Sequence, residues 1–176
     1  MKKTVVNTAL VLTLIGIPAL AIAKQNALAT VVSVKDGDGV WVRKDGKNLE
    51  IRLVCIDAPE KDQPGGQQST DRLKQLLPPG QAVQLREIDL DRYGRTVAEI
   101  FVGSQSVNLR MVREGQAVVY PEYIYNCTDT KNQYLQAEAQ AKQKHLGFWN
   151  QPSPVMPWDF RRSKRSNQST FSPSPT

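Results

Sequence analysis

Short apolar runs rich in β-branched residues, each closed by an Asp/Gly cluster, give way along this chain to stretches of helical period. Leu28 to Val34 and Val40 to Arg43 are such runs, separated by Asp36-Gly37-Asp38-Gly39, and Lys44-Asp45-Gly46-Lys47 is a hairpin turn leading into Asn48 to Ile56. These segments predict the first three strands of a meander. Beyond the Gly65-Gly66 loop, Gln67 to Leu77 carries Leu73, Leu76 and Leu77 at helical spacing and is stopped by Pro78-Pro79-Gly80. Strand character returns at Ala82 to Ile88 and Thr96 to Val102, around a turn at Tyr93-Gly94. Val107 to Glu114, ended by Gly115, and Thr130 to Leu146, stopped by Gly147, read as two more helices. Five strands with three short helices fit an α+β fold, a small five-stranded OB-fold-like barrel with helices packed outside.

The N-terminus reads as an export signal. Lys2 and Lys3 precede the apolar run Val5 to Ile22, and Ala21-Ile22-Ala23 fits a small-x-small cleavage site, so residues 1–23 are expected to leave a mature chain starting at Lys24. An uncleaved membrane anchor is the competing reading, and Pro18 with the alanine-rich end favours cleavage. The remaining 153 residues suffice for one domain with a hydrophobic core, expected over 24–150. From Gln151 the composition turns to Pro, Ser, Arg and Asn without periodicity, which predicts a disordered basic tail over 151–176.

Charge sharpens the picture when divided by segment. The excess of 23 basic over 17 acidic residues owes two charges to the leader and three to the tail, leaving the body near +1. Recognition of a polyanion must then come from arginines placed locally, not from a broad field. Cys55 and Cys127, in a chain expected outside the cytoplasm, are read as a disulfide closing a 72-residue loop, worth about 4 kcal/mol on the chain-entropy model; a buried free thiol at Cys55 is the alternative.

Three polar clusters carry the candidate chemistry: Asp36-Gly37-Asp38-Gly39, the run Arg52 to Glu60, and Asp91-Arg92-Tyr93-Gly94-Arg95. They supply hard acidic oxygens suited to calcium or magnesium, and guanidinium groups that grip phosphate oxygens in pairs. The single histidine, His145, lies far along the chain from them, which disfavours a Ser/His/Asp triad, a zinc site or a histidine-based nuclease. It is assigned to a helix end. Each cluster also has a plainer reading. The first is a tight turn and fails the EF-hand pattern at Val40, the third is a charged hairpin tip, and the second holds an internal Arg52–Asp57 pair. Strict alternation puts Arg52 and Asp57 on opposite faces of a flat strand, so they meet only through a bulge or barrel curvature.

Taken in order, the clusters resemble the staphylococcal-nuclease-like (thermonuclease) family, whose motifs are an Asp-Gly-Asp turn, an Arg-bearing strand ending in Asp-x-Pro-Glu, and an Asp-x-Tyr-Gly-Arg turn. The resemblance spans roughly Leu28 to Trp149. It implies that Asp38, Asp57 and the backbone carbonyl of Ala58 hold a calcium ion, with Glu60 acting on it through water. It further implies that Arg52 and Arg95 bind the phosphate, that Glu60 handles the attacking water, and that Arg92, Tyr93 and Tyr123 contact the nucleotide. Tyr120 and Tyr125 are read as packing. Ala58 and Gly39 each stand where the best-known member has threonine.

The expected protein is therefore a secreted, periplasmic or envelope-located calcium-dependent endonuclease that hydrolyses DNA and RNA with little sequence specificity and leaves 3′-phosphate ends. No obligate protein partner is implied, and a membrane only if the leader stays attached. A non-catalytic OB-fold module that binds nucleic acid without cutting is the rival. The presence of Asp38, Arg52, Asp57, Glu60 and Arg95 together favours the enzyme.

Overall fold

Residues 27–169 are described by a computed structural model, and the expected leader at 1–23 lies outside them. Five strands close a barrel: β1 (Ala27–Val34), β2 (Gly39–Lys44), β3 (Lys47–Leu53), β5 (Ala82–Leu90) and β6 (Thr96–Val102), with β4 (Ile56–Asp57) a short strand between β3 and β5. Antiparallel pairing runs β3-β2-β1-β5-β6, and a parallel pairing of β3 with β6, in which Leu53 faces Ala98, seals the ring. Register shifts between Val31 and Ser33 and between Glu87 and Asp89 supply the bends that closure needs. The β2–β3 turn places Asp45 and Gly46 at φ 50° and 76°, the left-handed pair that suits a two-residue hairpin.

Alternation along the strands delivers one apolar side to the core. Val40, Val42, Ile51, Leu53, Val83, Leu85 and Ile100 are buried, together with Leu73 of α1 (Gly66–Leu76) and Met111 and Val112 of α2 (Val107–Arg113). Each such side chain favours the folded state by roughly 1.5–3 kcal/mol over leaving it exposed. Two further strand pairs are short: β7 (Gln105–Ser106) continues the sheet from β6, and β8 (Val118–Val119) pairs with β4. Helix α3 (Lys131–Gln143) packs on α2, and its buried Tyr134 donates its hydroxyl to Glu99 at 2.8 Å. Glu99 is itself buried, and Arg86 and Ser106 also donate to it. Burial and the Glu99 charge push the Tyr134 phenol well above its ordinary pKa.

The C-terminal expectation needs correction. Residues 151–169 are not uniformly irregular: a fourth helix, α4 (Pro157–Ser169), follows the body, so among the described residues the barrel carries four α-helices and not three. Pro157 at its start and Asp159 in its first turn are helix-initiating choices. Trp158 and Met156 pack against a second apolar cluster of Val118, Ala141, Phe148 and Trp149, so the segment gains from tertiary burial what its polar composition does not supply. Among the described residues no helix is long and apolar enough to cross a membrane.

Candidate active site

The strand that carries Arg52 stops one residue later. After Leu53 the chain turns at Val54-Cys55, with Cys55 in the left-handed region at φ 67°, and resumes as β4, where Asp57 pairs with Val118. That turn resolves the alternation problem, because Asp57 no longer belongs to the strand of Arg52. The Arg52 guanidinium reaches Asp57 Oδ1 at 2.7 Å from one nitrogen and pairs with Asp38 through the other. Both flanks of the turn are fastened. A disulfide joins Cys55 to Cys127 in the one-turn helix Ile124–Cys127. From α2, the buried Asn108 donates to the carbonyls of Val54 and Ala98 at 3.1 and 3.3 Å and accepts from the Ile100 amide at 3.1 Å.

Asp38 is delivered by the tight turn before β2. Asp36 accepts from the Asp38 amide at 3.3 Å, and the Asp38 carboxylate accepts from the Ala58 amide at 2.8 Å, which fixes the two metal-candidate segments against each other. Gly37 is required by close approach, since any side chain there would collide with Ser69 of α1 and the Ala58 methyl. Gly39 has a similar local reason: a Cβ would press on the Asp36 carboxylate.

The third cluster is both hairpin tip and site wall. Asp91 accepts from the amides of Tyr93 and Arg95, each at 2.9 Å, and from the Arg95 guanidinium at 2.7 Å. Burial would raise the Asp91 carboxyl, but these donors outweigh it and hold it below the usual carboxylate range. Gly94, at φ 79°, makes the turn. Tyr93 projects into solvent, with the Arg92 and Arg95 guanidinium groups 4.9 and 5.7 Å from its ring centroid.

All of these converge on one cleft of about 810 Å³. Asp38, Arg52, Ala58, Glu60, Arg92, Tyr93, Arg95 and Tyr123 line it, and Asp57 sits fully buried behind it. Tyr120 packs as expected, stacked on Trp158 at 5.5 Å with ring planes 12° apart. Tyr125 does not: it lines the cleft largely exposed, its ring in a tilted contact with Tyr123 at 6.5 Å. His145 lies past the end of α3 at φ 51°, exposed and outside the cleft.

One side chain that meets the site carboxylates is not placed there by the sequence. Arg161 of α4 donates to both oxygens of Asp57, at 3.0 and 2.8 Å, and to Glu60 at 2.8 Å. Burial alone would lower its pKa, but the bonds and charges of Asp57 and Glu60 more than reverse that and raise it. Arg52 goes the other way, lowered by burial and by the nearby Arg95 and Arg161 charges against the pull of Asp57. The signal available in the sequence was the helix-starting Pro157 and Asp159 flanking Trp158, just upstream of the basic run.

A divalent cation fits the donor set. Among the described residues no three His, Cys, Asp or Glu side chains are gathered as a ready cage. The carboxylates are instead gathered around cations the chain provides: Asp38 and Asp57 around Arg52, Asp57 and Glu60 around Arg161. Hard carboxylate oxygens already holding positive charge are the chemistry that calcium or magnesium requires, with water completing the shell.

Comparison with known proteins gives the same direction. A family model described as staphylococcal nuclease homologue matches residues 50–151. An uncharacterized endonuclease of Haemophilus influenzae is 35% identical over 148 residues, covering 84% of this chain and 80% of its own length. One from Escherichia coli O157:H7 is 42% identical over 135 residues, 76% of this chain and 84% of its own. A micrococcal nuclease of Shigella flexneri is 33% identical over 167 residues, 90% of this chain and 91% of its own. With the barrel, the clustered carboxylates and guanidinium groups, and these matches in hand, the chain belongs to the staphylococcal nuclease family and is a nuclease hydrolase.

Proposed function

We propose that this protein is a calcium-dependent nuclease working outside the cytoplasm, hydrolysing phosphodiester bonds of DNA and RNA with little sequence preference and leaving 3′-phosphate ends. The observation that carries the reading is the bridge from Arg52 to Asp38 and Asp57 beside Glu60 and Arg95, which puts acidic oxygens and phosphate-gripping groups in one cleft. Asp38, Asp57 and the Ala58 carbonyl would hold the cation, which when bound would supply positive charge to offset that on a phosphate oxygen.

The chain's own groups do the rest. Arg52 and Arg95 hold the non-bridging oxygens and offset the charge that grows on them as water attacks in line. Glu60 holds the attacking water and accepts its proton. Tyr93 and Tyr123, both exposed in the cleft, offer faces on which any base can stack, which suits cleavage without sequence readout. The Cys55–Cys127 disulfide and the leader pattern support export, since disulfides persist in oxidising compartments.

Incubating the purified mature protein with DNA and with RNA, in calcium and in excess chelator, tests the proposal. Cleavage of both polymers with 3′-phosphate ends, abolished by chelator, is the expected result. Undiminished cleavage in chelator would remove the calcium role, and binding without cleavage would favour a module that only holds nucleic acid.

A further inference from the structure

Helix α4 lies beyond residues 50–151, the part matched by the family model, yet it sends Arg161 into the carboxylates of the site. Resting on the calcium-dependent reading above, we propose that Arg161 is a tethered cation that exchanges with the divalent ion. Once released, it joins Arg165 on the same helix in holding strand phosphates, so nucleic acid and cation bind cooperatively.

Lone pairs carry the first step. Asp57 Oδ1 already accepts from Arg52 at 2.7 Å and from Arg161 at 3.0 Å, while Oδ2 accepts from Arg161 at 2.8 Å. Each carboxylate oxygen has about two lone-pair sites, so Oδ1 is filled. Oδ2 keeps one site beside the Arg161 guanidinium, so a cation entering at Asp57 either displaces a guanidinium from Oδ1 or sits directly against Arg161. Arg52 is fixed on a barrel strand between two carboxylates. Arg161 reaches in from α4, outside the barrel strands, and its side chain is 32% exposed against 15% for Arg52, so it is the one that leaves. A divalent ion placed beside an unmoved Arg161 would also face direct like-charge repulsion.

The second step concerns where Arg161 goes. Arg161 and Arg165 are four residues apart on α4, on one helix face, and both line the cleft that holds Arg52, Arg95 and Tyr93. Two guanidinium groups in that register form a wall for phosphates, and bidentate phosphate contacts compensate Arg161 for the carboxylates it gives up. The helix need not leave, because Trp158 remains stacked on Tyr120, Gln63 Nε2 donates to the Val155 carbonyl at 2.6 Å, and Lys164 pairs with Asp62.

The consequence is linkage. Apparent cation affinity is the intrinsic affinity multiplied by the fraction of molecules in which Arg161 is released. Nucleic acid draws Arg161 away and restores that affinity, and by reciprocity the cation tightens nucleic-acid binding by the same factor.

Isothermal titration of calcium into the full mature chain, alone and with a cleavage-resistant phosphorothioate strand, tests this on binding and not on turnover. Arg161→Gln should bind calcium about tenfold tighter than wild type without the strand, and the strand should then add much less further gain than it does in wild type. Trp158→Ala, which keeps every charge but loosens α4, should shift calcium affinity in the same direction. Arg162→Gln removes an equal charge from the same cleft and should change calcium affinity by less than about twofold. Equal calcium affinity in wild type and Arg161→Gln would overturn the exchange and leave the calcium reading standing. An equal gain in Arg162→Gln would overturn it as a general charge effect. No calcium binding by either wild type or Arg161→Gln would overturn both.

Discussion

Arg52 is wedged between Asp38 and Asp57 in a place where water hardly reaches, so the three charges depend on one another to be tolerated. Replacing Arg52 by Ala leaves Asp38 without its counter-charge and Asp57 with Arg161 alone, and breaking a pair in that setting costs about 3–5 kcal/mol. Chemical denaturation in chelator should show Arg52→Ala destabilised by that order. Added calcium should narrow the gap, since a cation bound only by the folded state replaces the lost charge. An unchanged denaturation midpoint would mean the bridge contributes nothing. The identities of these residues were legible in the sequence: Asp38, Arg52, Asp57, Glu60 and Arg95 all reach one cleft or its back wall. The Arg52–Asp57 pair stood in the sequence as one of two readings, but the route to it did not. A period of two separates Arg52 from Asp57, and only the left-handed Cys55 turn brings them together. Arg161 was harder still, because its partners Asp57 and Glu60 are 104 and 101 residues away and no local pattern encodes that meeting.

Helices α1 and α2 are joined by a small ionic clamp that gives the fold a pH dependence of its own. Glu114, at the end of α2, accepts from Arg72 of α1 at 2.5 and 2.8 Å and from Arg110 at 2.8 Å. Arg72 first, then Arg110, hold the Glu114 carboxyl below its ordinary value against the opposing effect of burial. A depressed carboxylate stabilises the fold fully above its unfolded pKa of about 4.3 and loses that contribution as pH falls through the folded value. Glu114→Gln should therefore cost about 1 kcal/mol at pH 7, after allowance for solvent screening, with the difference from wild type shrinking below about pH 4. Thermal unfolding across pH 3–7 measures it, and a constant difference over that range would contradict the assignment. The same elements show what patterning conveys. Strand β6 runs over Thr96–Val102, as its apolar run indicates, and α1 and α2 fall within a residue of their spacing and stop signals. Helix α4 was hidden because its polar, basic composition resembles a solvated tail, and its stability comes from Trp158 and Met156 docking on Phe148 and Trp149.

Across the whole molecule, the division of charge takes on a different meaning once α4 is docked. The nearly neutral body does not act alone, because the basic segment beyond Gln151 contributes Arg161, Arg162 and Arg165 to the cleft. The Cys55–Cys127 disulfide also couples global stability to the site, since Cys55 forms the turn between Arg52 and Asp57. Replacing both cysteines by serine should lower the unfolding free energy by about 2–4 kcal/mol, read from denaturant midpoints under oxidising conditions. It should slow cleavage as well, because the turn loses its one covalent fastening. A loss of stability with no loss of rate would show that Asn108 and the backbone hydrogen bonds of Val54 and Cys55 suffice to hold the turn.

Single-turnover cleavage of one end-labelled strand by wild type, Glu60→Gln, Arg95→Ala and the double variant, all in saturating calcium, asks most directly whether scattered side chains form one catalytic centre. Each single replacement should slow cleavage by about a hundredfold or more with unfolding temperature nearly unchanged, and the double should fall little further, as expected for groups acting as a unit. Near-wild-type rates in both single variants would contradict the assignment and move the chemistry elsewhere on the molecule.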